Sequence, residues 1–264
     1  MSSNIFNGKR FLLLCRQHFI HSNKLLLFSI VAYVGVIFIV LSLVQMSNDR
    51  VPHDAEIFRE LLFTFVAIFG ILYVGYSFPA FRSKEGTINY LMLPASILEK
   101  FVFELFIRIG LMLILLPLLY WITFHLEGYF FTLFTTEKFY PVGFESTFDF
   151  ILPNDIQKSL FWFVSFIASL VMLGFILAFT GGAMFSKQPL VKTLFSLAII
   201  IIGYSSVIYI ALEKLGVAKY NINDSLWLTP TNTNSAFRLF ACAAILAIVV
   251  MLFVAYRKLK EKEV

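Results

Sequence analysis

Glu104 and Arg108 come nearest to chemistry in this sequence: an acid and a base, four apart, in a stretch otherwise apolar from Phe101 to Phe124. On a helix that spacing puts both on one face, where they pair. Either Arg108 snorkels to the membrane interface beside its partner, or the pair is a latch facing a central cleft. The other constellations are thinner. His18 and His21 could share a helix face, but two ligands without a third rarely hold zinc, and His53 and His125 fall in expected outer loops. No metal is expected. Cys15 and Cys242 lie in regions too separate for a disulfide framework. No Walker A sequence is present, so nothing here cradles ATP phosphates. Ser205, Ser206 and Tyr209, with Ser165, Ser169 and Tyr204, are polar residues within apolar stretches and are the candidates for lining a pathway.

The elements that must hold these residues follow from composition. Of 264 residues, 59% are hydrophobic and 14% charged, against roughly a quarter charged in a soluble domain. That leaves too little polar material for a water-facing shell. A bilayer core needs roughly 20 apolar residues of helix, because exposed backbone finds no water there. Spans are expected at about 25–47, 61–81, 101–124, 159–184, 193–212 and 239–256. The fold class is therefore all-α: a polytopic membrane protein with six transmembrane helices. The first span is not a cleavable signal peptide, since it starts late and no A-x-A site follows it.

Lysine and arginine set the orientation. With the N-terminus inside, thirteen fall on inner segments and seven on outer ones, with Arg108 in a span. This is the positive-inside bias, and both termini are expected in the cytoplasm. The net charge of +5 reads as topology and implies no nucleic acid. Residues 1–24 suggest an amphipathic helix lying on the membrane. Phe11, Leu12, Cys15 and Phe19 share one face toward acyl chains, and Arg10, Gln17, His21 and Lys24 share the face toward anionic headgroups. The alternative is an ordinary basic flank. Residues 257–264 form a basic cytoplasmic tail.

The segment Phe78–Lys100 is the most informative. Pro79 and Pro94 bracket a stretch that fits a helix of about two turns. After Pro94, Ser96 can cap the next helix with Glu99 as its capping-box partner, and Lys100 follows. Tyr90, Leu91 and Leu93 at one end make the short helix a docking knob for a cytoplasmic partner, or else the segment is a solvated loop. Elsewhere, Gly70, Gly75, Gly174, Gly181 and Gly182, with Ala243 and Ala247, are expected to let helices approach closely. The long segment 125–158, rich in Phe and Tyr, is expected to fold partly against the membrane surface. The last outer loop, 213–235 around Trp227, could form a lid.

An N-terminal surface helix, six spans and a short helix in the first cytoplasmic loop resemble the membrane subunits of type-2 ABC exporters. The residues matching the family's coupling helix are Phe81, Arg82, Glu85, Gly86 and Tyr90. The runs Leu93–Phe101 and Gly181–Thr193 resemble the loop exit and second cytoplasmic loop of bacterial permeases of this class, notably from Bacteroidota. The resemblance implies a multi-pass protein of the bacterial inner membrane, working as a homodimer or with a second permease. ATP and Mg would be bound by a separate ABC ATPase subunit. Energetics point the same way, because ion-coupled carriers need intramembrane ionisable groups and these spans hold only Glu104 and Arg108. A scaffold that recruits a cytoplasmic partner without moving solute is the alternative. An intramembrane protease is a third class, since Glu104-x-x-x-Arg108 resembles part of the CAAX-protease motif. That motif begins with two adjacent Glu, however, and position 103 is Phe. It also needs His in the membrane, and the expected spans contain none.

Overall fold

The computed structural model describes residues 6–47, 55–134, 138–143, 145, 160–210 and 233–263. Among these there is no strand, and six helices are long and apolar enough to cross a membrane. The helices are α1 (Gly8–Ser47), α2 (Ala55–Val74), α3 (Lys84–Leu91), α4 (Ile97–Leu105), α5 (Leu111–Phe131), α6 (Leu160–Met184), α7 (Pro189–Tyr209) and α8 (Thr233–Glu263). A π-helical turn, Phe106–Gly110, joins α4 to α5 as one rod, and a 3-10 turn, Pro79–Arg82, precedes α3.

The helix ends depart from the charge-free stretches in informative ways. The surface helix expected at 1–24 and the first span are a single 40-residue helix. No proline lies between Gly8 and Ser47, so nothing interrupts the backbone ladder at Lys24. The span expected at 61–81 runs instead over Ala55–Val74. It takes in Glu56 in its first turn, where an acid suits the helix dipole. It stops well before Pro79, whose preceding residue Phe78 sits in left-handed backbone at φ 53°. The rod extends past the expected 101–124 at both ends, to Ile97–Phe131. The tail expected at 257–264 is helical to Glu263, its last turn carrying Lys260 and Lys262 beside the carbonyl ends. The loop 213–232, Trp227 included, and residues 146–159 lie outside the described residues.

Two compact units make up the chain, Met1–Tyr73 with Met92–Ile151, and Val74–Leu91 with Leu152–Val264. In the first, α1 presents Tyr33, Ile37 and Leu41 at helical spacing to Phe58, Leu62 and Phe65 of α2 and Tyr120 and Phe124 of α5. Edge-on rings fix that contact, with Phe58 and Phe124 centroids 4.9 Å apart. The described part of the segment after α5 folds back on it. Phe139 sits between His125 and Tyr129, and Trp121 Nε1 donates to Val142 O at 3.2 Å. His125, expected in a loop, is inside α5 with Nδ1 2.8 Å from Trp121 O. At the start of α1, Phe11 and His18 pack edge-on against Phe103. Phe11 therefore departs from the face expected to meet acyl chains, while Leu12 and Phe19 of that face are exposed, as are Leu13 and Ile20. Half-buried Cys15 stays a thiol, since burial pushes its pKa up.

In the second unit, α6 and α8 lie side by side. Phe163 meets Phe237 at one end (5.3 Å), and Lys262 Nζ donates to Ala183 O (2.7 Å) at the other. Buried Ala178, Ala241 and Ala255 allow the approach. Ala243, expected in that role, is exposed, and Gly174 has nothing within 4 Å of where a side chain would begin. Gly181 and Gly182 do serve it, against Thr193 of α7 and Ser77 respectively.

Candidate functional site

The stretch Ser77–Leu91 is a small folded module whose order begins in its sequence. Gly75 and Tyr76 turn the chain out of α2, and Ser77 Oγ donates back to Val74 O. Phe78, buried in left-handed backbone, lies on Phe179 of α6 with centroids 5.2 Å apart and stacks on Phe81. Pro79 then opens the 3-10 turn, its ring already at the dihedral such a turn needs. Phe81 is the keystone: Tyr90 meets it edge-on at 5.3 Å, and Lys262 Nζ sits 4.5 Å from its ring centroid. Arg82 places its guanidinium carbon 3.3 Å from the Tyr76 ring centroid, and its Nη2 has no hydrogen-bond partner among the described residues.

Gly86 closes the module by close approach. Its N–H donates to Ser83 Oγ (3.1 Å), and an added Cβ would lie 2.8 Å from Ala80 O, a backbone atom that cannot swing aside. Gly86→Ala is expected to pry α3 from the 3-10 turn at a local cost of about 1–3 kcal/mol. Hydrogen exchange should show faster exchange over residues 79–91 and little change in α6 or α8. Unaltered protection at 79–91 would contradict this packing. Of the five expected coupling residues, the structure thus brings Phe81, Arg82, Gly86 and Tyr90 into one module. Glu85 stands apart on its exposed face with Ser83, Lys84, Ile88 and Asn89.

The loop exit is a helix start held by a buried acid. Pro94 is exposed; Ser96 caps α4 by accepting from Glu99 N–H (3.2 Å), and Glu99 Oε2 accepts from Ser96 N–H (2.8 Å), the reciprocal capping box. Beyond that expectation, Glu99 Oε1 accepts from Asn7 N–H at 2.7 Å and pairs with Arg10 at 3.3 Å. The carboxylate is fully buried and ties the start of α1 to the start of α4. Lys100 beside it is also buried.

Glu104 and Arg108 do pair, at 3.4 Å, across the join between α4 and the π turn. Arg108 does not snorkel. Its side chain is 8% exposed, and its guanidinium carbon lies 5.0 Å from the Tyr73 ring centroid on α2. The pair is buried inside its unit, and Arg108 is carried by the π turn, a rare geometry found mostly as single turns within α-helices.

Sequence reasoning missed Glu127. It is fully buried in α5, with Oε1 accepting from Ser42 Oγ of α1 at 3.3 Å. Buried Gln45 lies one turn further along α1, and its Oε1 has no hydrogen-bond partner among the described residues. Glu104 and Arg108 are therefore not the only ionisable groups in the spanning helices. Through Ser42, Glu127 ties α5 to α1 inside its unit. The sequence signal was there: from Leu126 to Phe131 it is the only charge in a run that continues the apolar helix.

Ser205, Ser206 and Tyr209 are not enclosed by other described residues of this chain. All three lie on exposed parts of α7, and Ser206 Oγ donates to its own helix at Ile202 O (2.8 Å). No group of three or more His, Cys, Asp or Glu suited to a metal occurs among the described residues. Comparison of this chain with protein-family models, with curated proteins and with solved structures finds no match.

Proposed function

We propose that this chain is the membrane-spanning permease subunit of an ABC exporter, driven by ATP hydrolysis in a separate ATPase chain. The observation that carries the reading is the module Ser77–Leu91. A connection between two spans needs only a handful of residues. This one instead builds a 3-10 turn and a two-turn helix, seats them on Phe179 and Lys262, and leaves Lys84, Glu85, Ile88 and Asn89 facing outward. A rigid, polar-edged knob fixed to transmembrane helices is what a transporter needs to receive force from a soluble motor. The sequence carries no Walker A motif, and this reading assigns the motor to another chain. ATP and Mg belong to that partner, and the permease works as a homodimer or with a second permease in the bacterial inner membrane.

Affinity purification in mild detergent tests this, comparing wild type with a Glu85→Arg, Ile88→Arg variant. Both positions are exposed, so the variant leaves the Phe81–Tyr90 floor intact. An ABC ATPase should copurify with wild type and fall at least about tenfold in the variant, since misplaced charge at an interface costs several kcal/mol. If no ATPase accompanies either protein and a different cytoplasmic protein does, the chain is a scaffold and the exporter reading fails.

A further inference from the structure

We propose that Lys262 is the positioning residue through which motion of the module Ser77–Leu91 is delivered to α6 and α8, and not to α2 and α4, its neighbours in sequence. Chain order points the other way, since the module lies between α2 and the rod that begins at Ile97. Neither neighbour is joined to it by continuous helix. Helix α2 stops at Val74 and α4 starts at Ile97, with non-helical chain at 75–78 and 92–96. Such links lack the hydrogen-bond ladder that makes a helix stiff. The module packs instead on α6 and α8, and it belongs to the same compact unit as they do.

It is fastened there at Ser77, Phe78 and Phe81. Phe78 lies on Phe179 of α6 at 5.2 Å between centroids. Gly182 lets Ser77 approach so closely that an added Cβ would lie 3.2 Å from Ser77 O. The third point is made by Lys262, in the last turn of α8, whose Nζ is 4.5 Å from the Phe81 ring centroid and donates to Ala183 O at 2.7 Å. Ala183 belongs to the last turn of α6, where carbonyls have no helical donor. It is also buried, so water does not supply one. The ammonium meets that need and holds the Phe81 ring with the same charge. A single group thereby joins the end of α6, the end of α8 and the floor of the module.

The fastening itself is independent of the exporter reading, and its consequence for ATP-driven motion rests on that reading. Three variants of the full chain test both. Lys262→Met keeps a long side chain without the charge, and Lys262→Arg keeps the charge. Lys260→Gln removes a cation from the same last turn at an exposed position. In the detergent-solubilised chain alone, Lys262→Met should speed hydrogen exchange over residues 79–91 by roughly tenfold, the loss expected for a hydrogen bond from a charged group. Lys262→Arg and Lys260→Gln should stay near wild type, and residues 97–105 should not change in any variant. In the complex with its ATPase, trapping with ATP and vanadate should alter exchange in α6 and α8 of wild type. Lys262→Met should copurify as much ATPase, since Lys84, Glu85, Ile88 and Asn89 are untouched, and should lose that response. Unchanged exchange at 79–91 in Lys262→Met, or equal acceleration in Lys262→Arg or Lys260→Gln, would overturn the role of Lys262. A nucleotide response of wild type confined to α2 and α4 would overturn delivery to α6 and α8. If no ATPase copurifies with wild type, the exporter reading is what fails, and exchange in the chain alone still decides whether Lys262 holds the module.

Discussion

Gly181→Ala should be among the most damaging single-methyl changes in this protein. The added Cβ would overlap the Thr193 hydroxyl and come within 2.8 Å of its Cβ and Cγ2. Thr193 cannot rotate away cheaply. It is nearly buried, branched at Cβ, and its hydroxyl donates to Pro189 O at 2.6 Å. The start of α7 must therefore shift from α6, and overpacking of this kind costs about 1–3 kcal/mol, with the lost hydrogen bond adding about 1 more. The melting temperature of the detergent-solubilised protein should fall by on the order of 10 °C. Thr193→Ala should partly rescue it, because that removes the hydroxyl and Cγ2 while keeping the Cβ. Additive effects in the double mutant would show that the two residues do not touch.

Glu99→Ala is the second large effect. It strips one buried carboxylate from three donors at once, the N–H groups of Ser96 and Asn7 and the Arg10 guanidinium. Breaking a buried ion pair costs about 3–5 kcal/mol when the stranded charge stays buried. Arg10 is 30% exposed and can turn to solvent, which lowers that figure. Loss of the cap adds about 1 kcal/mol, and about 3 kcal/mol altogether is expected. Protease sensitivity near residues 7–20 should rise, because the release frees the start of α1. Arg10→Gln should cost much less, since Glu99 keeps its backbone donors. If the two variants prove equally destabilising, the ion pair and not the capping network holds this corner.

The contrast between those two variants shows how far the sequence could be read. Ser96 and Glu99 announce a capping box by spacing alone, and the box is there. The Asn7 and Arg10 partners are about ninety residues away, and no periodicity points to them. Likewise the Glu104–Arg108 pair follows from an interval of four. Its burial under Tyr73 depends on how α2 packs, and so the snorkelling reading was wrong. Six spans were legible because long apolar runs have few other stable homes. Their ends were not, because a search for uncharged residues stops at the first acid. It excluded Glu56 from α2, although an acid in the first turn suits the helix dipole, and it placed Glu127 in a loop, although an acid with a hydroxyl donor such as Ser42 can sit inside a helix. Within the module, Gly86 and Phe81 were singled out by resemblance. Only the fold shows that Gly86 is a steric requirement and that Phe81 is a floor shared with Lys262.

Helix α1 is much longer than its span requires. Its 40 residues form a shaft about 60 Å long, of which the stretch before Leu26 extends about 27 Å beyond the span. Glu99 fastens its tip to the start of α4, and α2 and α5 pack along its span. A change in the angle of the span is therefore passed to the rod that begins at Ile97 instead of freeing the tip.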